Sequence, residues 1–386
     1  MRILISAGEP SGDLHAANLV RSLRRLDPSL DCVGLGGEKM AEAGCKLIYP
    51  LCKLAVMGFG PVLMQAHRFL DVLARTDRYF LRHRPDAVVL VDFPGFHWWL
   101  ARRAHHHGIP VFYFVPPQIW AWATWRVSKM RRWVDHVLCS LPFEESWYRQ
   151  HQVPAHYVGH PYFDELPTQK LEPAFLAEQR ARPGTVIGLL PGSRGQELTY
   201  NLPTLLRTAR KVHTAHPETR FLVACFKQHH LDRVQEALRG EGLPYVEAHT
   251  GRTPEIIELA HACVAVSGSV GLELLYRAKP SVVVYRAAPI PLFLSLFLRK
   301  ARFISLVNLL ADEEICPEFL SDRCQADEIS TQVLSWLDNP SSWQTVQTRL
   351  TELRDQVARP GACERAARYI LEHASAGQSA DKSHAA

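Results

Sequence analysis

Arg2-Ile-Leu-Ile-Ser-Ala-Gly-Glu-Pro-Ser-Gly-Asp13 reads as a six-residue strand, Arg2 to Ala7, a tight polar turn, and then an amphipathic helix from near Leu14. The same order recurs along the chain. Short β-branched runs at Asp31 to Leu35, Ala87 to Val91, Val111 to Val115, His136 to Cys139 and His156 to Val158 alternate with longer amphipathic segments. Near-continuous apolar runs such as Ala87-Val-Val-Leu-Val91 fit parallel strands buried on both faces. Four prolines, at 161, 167, 173 and 183, interrupt the pattern and mark a linker. It restarts at Thr185 to Leu190, Arg220 to Ala224, Tyr245 to Ala248, Cys263 to Val266 and Ser281 to Tyr285. The fold class is therefore α/β, with two doubly wound lobes, and a ligand is expected in an interdomain cleft at the C-terminal ends of the strands.

The 386 residues, 47% apolar and 22% charged, exclude disorder, collagen and coiled coil. The expected division is 1–170, 171–345, a helical segment 346–373 that packs back on the first lobe, and a disordered tail 374–386. Forty-four basic against 39 acidic residues give +5, too mild for the dense basic patch of a nucleic-acid binder. Nine cysteines, an odd number with no C-x-x-C spacing, argue against zinc ribbons and a disulfide framework and for reduced cytosolic thiols. The N-terminus lacks the pattern of an export signal. The most apolar stretches, Pro110 to Trp125 and Ala287 to Leu298, fall short of the roughly 18 to 20 residues of a membrane span.

The residues after the strands carry the candidate chemistry. Gly8-Glu-Pro-Ser-Gly-Asp13 opens a helix, where glycine permits close approach and backbone N–H groups attract anions; a capped turn with Asp13 balancing the helix dipole explains it equally. Asp92, directly after Val91, is placed to take a proton from an attacking hydroxyl, or else to serve as a turn residue. Pro191-Gly-Ser-Arg-Gly-Gln-Glu197 offers Gly192, Ser193, Arg194, Gly195 and Glu197 at a helix start. A tight turn explains the glycines but has no need of Arg194, so diphosphate binding is the better account. The loop lacks the Gly-Lys-Ser/Thr ending of a nucleotide triphosphatase. Ser267-Gly-Ser-Val-Gly-Leu-Glu273 supplies Ser267, Gly268 and Ser269, with Glu273 one turn inside the helix for a ribose or for dipole balance. No Asp-x-Asp occurs, so no metal is assigned and arginine with helix dipoles must stabilise the leaving group.

His105-His-His107 closes a helix before Gly108, which favours dipole balance over metal binding. Gln118-Ile-Trp-Ala-Trp-Ala-Thr-Trp125 leads into Arg126, Lys129, Arg131, Arg132 and Trp133, a composition that can stack nucleic-acid bases but also suits lipid headgroups and interfaces. Leu292-Phe-Leu-Ser-Leu-Phe-Leu298 before Arg299, Lys300 and Arg302, and Val56-Met-Gly-Phe-Gly-Pro-Val-Leu-Met64, read either as buried segments or as surfaces for anionic lipid.

Taken in order, Ala7-Gly-Glu-Pro-Ser-Gly-Asp13, Leu54-Ala-Val-Met-Gly58, Val91-Asp92, Trp120-Ala-Trp122, Leu141-Pro-Phe-Glu144, Val158-Gly-His160, Leu190-Pro-Gly-Ser-Arg-Gly195, Ser267-Gly, Glu273 and Ser305-Leu-Val-Asn-Leu-Leu310 resemble the lipid-A-disaccharide synthase family, inverting glycosyltransferases of the two-lobed GT-B fold. The resemblance implies transfer of 2,3-diacylglucosamine from its UDP derivative to 2,3-diacylglucosamine 1-phosphate, with UDP released and no cofactor. It implies a C-terminal UDP-sugar lobe, an N-terminal acceptor lobe, and work at the inner membrane face from the cytoplasmic side. Asp92 matches the general base and Arg194 the diphosphate arginine. Glu273 and Asn308 match donor positions, and Glu9, Ser11, Gly12, Asp13 and Met57 match the acceptor side. Two departures stand out: Asp92-Phe-Pro-Gly-Phe-His97 where many relatives read Asp-x-Pro-Asp-Phe-Asn, and Pro116 where a serine is usual. A UDP-sugar 2-epimerase of the same fold, an inactive lipid or nucleotide-sugar binding protein, and a homodimer stay open.

Overall fold

The computed structural model describes residues 1–55, 66–286 and 300–383. The chain forms two compact units, Met1–Glu165 with Arg359–Ala386, and Leu166–Ala358.

In the first unit β1 (Arg2–Ala7), β2 (Asp31–Leu35), β3 (Lys46–Tyr49), β4 (Ala87–Val91), β5 (Val111–Phe114), β6 (His136–Cys139) and β7 (Ala155–Tyr157) form a sheet in the order β3-β2-β1-β4-β5-β6-β7. In the second, β8 (Val186–Leu190), β9 (Arg220–Cys225), β10 (Val246–Thr250), β11 (Ala262–Val266), β12 (Ser281–Arg286) and β13 (Glu318–Ser321) take the order β10-β9-β8-β11-β12-β13. Every pairing described is parallel, and β4, β8 and β11 are buried along their whole length. Helices cover both faces, because strands that are apolar on both sides need two layers of partners. Prolines stand at the start of many of these helices: Pro10, Pro94, Pro142, Pro173, Pro254 and Pro340 lie in the first turn, where the missing N–H costs nothing.

Two strands are absent from the sequence-based expectation, β3 and β13. Both are four-residue strands at a sheet edge and only partly buried, so neither presents the apolar run that marks a central strand.

The order in which strands are added reverses in each sheet between its first strand and its fourth: β1 beside β4, and β8 beside β11. Such a switch point leaves the two neighbouring loops diverging to opposite faces, with room for a ligand outside the strand ends. The registers Ala7↔Val91 and Leu190↔Ala265 bring Gly8 level with Asp92 in one unit, and the loop from Pro191 level with the residues before Ser267 in the other. Asp92 and the loops that start at Gly8, Pro191 and Ser267 gather at these two places.

The chain's return to the first unit begins at Arg359, later than the expected 346. Helix Pro340–Val357 stays with the second unit and buries Leu350, Leu353 and Val357. Helix Ala362–Ser383 then packs on Pro10–Leu26, placing Cys363, Ala366, Ala367, Ile370 and Ala374 in one core with Ala16, Leu19 and Val20. Asp164 caps it: the amides of Gly361, Ala362 and Cys363 donate to its carboxylate at 2.5, 3.0 and 2.8 Å. The helix continues to Ser383, through residues whose small polar composition had predicted a disordered tail. An existing helix needs no new nucleus, and alanine is its best extender.

Candidate functional site

In the first unit Asp92 directly follows β4 in an unusual backbone conformation. Asp92 has φ +51° and Phe93 φ +50°, the left-handed region that costs a residue with a side chain about 1–3 kcal/mol. The Asp92 carbonyl is held from two sides: the Tyr113 hydroxyl donates to it at 2.8 Å and His97 Nδ1 lies 2.6 Å away. His97 Nε2 is 2.8 Å from Ser6 Oγ on β1. Ser6, His97 and Tyr113 are fully buried. Burial pushes the imidazole down to about 3, so it is neutral, and a carbonyl can only accept. Nδ1 therefore carries the proton, and Nε2 accepts from the Ser6 hydroxyl.

The loop after β1 packs against this turn. A Cβ at Gly8 would meet the Phe93 ring at 2.1 Å, which makes glycine obligatory there; one at Gly12 would stand 3.9 Å from the Asp92 Cβ. Glu9 is partly exposed and Ser11 exposed. Asp13, matched to the acceptor side, makes its contacts within its own unit. It is 5% exposed, and the amides of Gly37, Lys39 and Met40 donate to its carboxylate at 2.7, 3.1 and 3.3 Å. Asp13 thus caps the short helix Glu38–Glu42, a partner too distant in sequence to be seen there. Met57 lies outside the described residues.

In the second unit the loop after β8 turns through Gly192, φ +102°, into helix Gly195–Ala215. The Glu197 carboxylate occupies its concave side, with Oε2 accepting from the amides of Ser193 and Arg194 at 3.0 and 3.1 Å. Oε1 lies 3.3 Å from Arg194 Nη1, and the Arg194 side chain is 72% exposed. A Cβ at Gly192 would come within 2.4 Å of Glu197 Oε2. The loop already holds an anion, supplied by its own helix.

The loop after β11 leaves Gly268 and Ser269 exposed, while Ser267 Oγ donates to the Ile304 carbonyl at 2.7 Å. Glu273 is 2% exposed, with Oε1 3.4 Å from Arg277 Nε. Arg277 also binds Glu258 at 3.0 Å and Gln169 at 2.9 Å. Asn308, matched to a donor position, is held inside its unit. It is fully buried, donating to the Cys316 carbonyl and Glu318 Oε1 at 2.7 and 2.9 Å and accepting from the amides of Ile315 and Cys316 at 3.0 and 2.9 Å. Those four bonds use the whole amide, so Asn308 ties together the segment beside Ser267. Glu318 completes the tie by accepting from the amides of Ile304 and Ser305, both at 2.8 Å.

Other motifs meet in space. Trp120 Nε1 donates to Glu144 Oε1 at 3.0 Å, joining Trp-Ala-Trp to Leu-Pro-Phe-Glu across 24 positions. His107 closes its helix against Asp77 at 3.0 Å.

A family model described as Lipid-A-disaccharide synthetase matches residues 3–373. The chain belongs to the lipid-A-disaccharide synthase family. It is similar to the lipid-A-disaccharide synthase of Coxiella burnetii (strain CbuG_Q212), 35% identical over 95% of this chain and 97% of that protein. The lipid-A-disaccharide synthase of Myxococcus xanthus (strain DK1622) is 35% identical over 96% and 97%. Among solved structures, the UDP-GlcNAc 2-epimerase of Neisseria meningitidis bound to UDP-GlcNAc aligns with a TM-score of 0.65 at 12% identity, covering 97% of this chain and 99% of that one. A co-structure of S. aureus MnaA with UDP aligns at 0.68 and 10% identity, covering 96% of each chain. At such low identity these two show the fold alone, the GT-B arrangement of two Rossmann-like units. In this lipid-A-disaccharide synthase family member, Ser6, His97, Tyr113, Arg277 and Glu318 anchor the candidate residues or their neighbours without having been singled out for it. Only His97 left a trace in the sequence, as a departure from the family's asparagine.

Proposed function

We propose that the chain is a glycosyltransferase that makes the lipid A disaccharide, moving 2,3-diacylglucosamine from its UDP derivative onto the 6-hydroxyl of 2,3-diacylglucosamine 1-phosphate. Family membership supports the reaction, and one observation supports the mechanism above the others: a carboxylate, Asp92, stands at the switch point of its sheet on a turn anchored by buried hydrogen bonds. Asp92 takes the proton of the acceptor hydroxyl as its oxygen attacks the anomeric carbon from the face opposite UDP, giving the inverted β-1,6 linkage.

Departure of UDP concentrates negative charge on the diphosphate. Arg194, with the amides of the Gly192–Gly195 loop, stabilises that charge, and Glu197 yields the amides it holds in the free protein. Ser267, Gly268 and Ser269 line the same switch point, and Glu273, fixed by Arg277, serves the ribose. No step requires a metal or cofactor.

The lipid character of the proposed substrates supports work at a membrane surface, on the cytoplasmic side. Among the described residues no helix is long and apolar enough to cross a membrane. Trp99, Trp122 and Trp125 are about half exposed, and the Arg126 guanidinium lies 4.8 Å from the Trp122 ring centroid and 6.0 Å from that of Trp125. Aromatic rings beside fixed cations suit an anionic headgroup layer. The apolar runs 56–64 and 292–298 lie outside the described residues.

The decisive experiment is mass spectrometry of the products formed from the UDP-linked and 1-phosphorylated diacylglucosamines. A phosphorylated tetraacyl disaccharide together with UDP is the expected result; absence of both ends this reading. Salt-sensitive flotation with anionic liposomes tests the membrane assignment separately.

A further inference from the structure

We propose that His97 is a positioning residue for Asp92: wedged between Ser6 and the Asp92 carbonyl, it holds the left-handed turn that carries the base. The proposal rests on the assignment of Asp92 as general base. Two successive residues with side chains, Asp92 and Phe93, keep φ values near +50°, a conformation that relaxes unless its surroundings fix it. Two side-chain ties to it converge on one atom. The Asp92 carbonyl oxygen accepts from His97 Nδ1 at 2.6 Å and from the Tyr113 hydroxyl at 2.8 Å, so rotating the 92–93 peptide out of the left-handed region breaks both bonds.

His97 cannot swing away to follow such a rotation. Its Nε2 is tied to Ser6 Oγ at 2.8 Å on the neighbouring strand, and its ring meets the Phe93 ring edge-on at 5.8 Å between centroids. The ring is fully buried and neutral, so the clamp persists across the working pH range. The result is a buried chain, Ser6 to His97 to the Asp92 carbonyl, that links β1 to the end of β4, with Tyr113 adding a tie from β5. The neighbouring Gly95, where many relatives carry aspartate, is exposed with open space around it and takes no part.

The test is steady-state kinetics on the full chain for Asp92→Asn, His97→Leu, His97→Asn and Tyr113→Phe, with folding followed by circular dichroism. Leucine fills the volume and removes both hydrogen bonds; the asparagine amide restores the donor to the Asp92 carbonyl. His97→Leu is expected to lower kcat about 100-fold while KM for the UDP-sugar stays within about twofold, and His97→Asn to recover kcat to within about threefold of wild type. Tyr113→Phe is expected to lower kcat about tenfold with the same KM, and it decides the question if His97→Leu does not fold. Wild-type kcat in His97→Leu with an inactive Asp92→Asn overturns the positioning role and leaves the base intact. Equal losses in His97→Leu and His97→Asn, or a donor KM that rises as kcat falls, also overturn it. Full turnover in Asp92→Asn overturns the base assignment and this inference with it.

Discussion

The two units wind their sheets in the same order yet solve opposite problems at the switch point. In the proposed mechanism the first must present a side chain: Asp92 and Phe93 take left-handed backbone without being glycine, and buried bonds from His97 and Tyr113 hold them there. The second must present backbone amides, and there Gly192 takes φ +102° at no steric cost, with Glu197 filling the cradle it makes. Where the proposed chemistry needs a carboxylate, strain and support come with it. Where it needs only N–H groups, glycine suffices. Topology places both loops and says nothing of which is which.

The difference between the units shows most at Asp92. Asp92→Asn keeps the turn and removes the proton acceptor, so turnover should fall about 10³-fold while UDP affinity stays within about threefold, as read by product formation and calorimetry. A mutant with ordinary turnover would assign the first unit's loop to structure alone. Arg194→Ala acts on the other unit and should lower both UDP affinity and kcat/KM, the latter by about 100-fold. Unchanged affinity would move the diphosphate away from this loop.

The supports differ in their response to acid. The folded-state value of His97, about 3, lies below its ordinary 6.5, so the unfolded chain binds a proton that the folded chain refuses. Stability from the neutral imidazole is complete above pH 6.5 and drains away as pH falls toward 3. By linkage the loss is roughly 2 kcal/mol at pH 5. The thermal midpoint should therefore fall between pH 7 and 5 by less in His97→Asn than in wild type; parallel curves would mean that the ring charges in place. The smallest effect separates cap from ligand site. Glu197→Gln keeps an oxygen for the amides but loses the charge that competes with diphosphate, so UDP affinity should rise about threefold, and an unchanged or lower affinity would show that Glu197 remains on the loop when UDP binds.

The missed strands and the unforeseen partners of polar residues have different causes. β3 and β13 were invisible because four half-exposed residues at a sheet edge carry no apolar run. Asp13 and Asn308 were visible as polar residues in the right motifs, but their partners lie at 37–40 and at 315–318. Asp164, capping a helix that begins almost two hundred residues later, had no local signal at all.

Sequence alone determined the alternation of apolar runs with amphipathic helices, and through it two doubly wound units. It also placed Asp92 and the Gly192–Gly195 loop at strand ends, since both are consequences of local order and spacing. Tertiary structure decided which polar groups face inward. Asp13 and Asn308 became buried ties, Glu197 took the amides of its own loop, and His97 joined Ser6 to the turn beneath Asp92. A hydrogen bond depends on where two groups meet in space, and a pattern read along one chain does not contain that meeting.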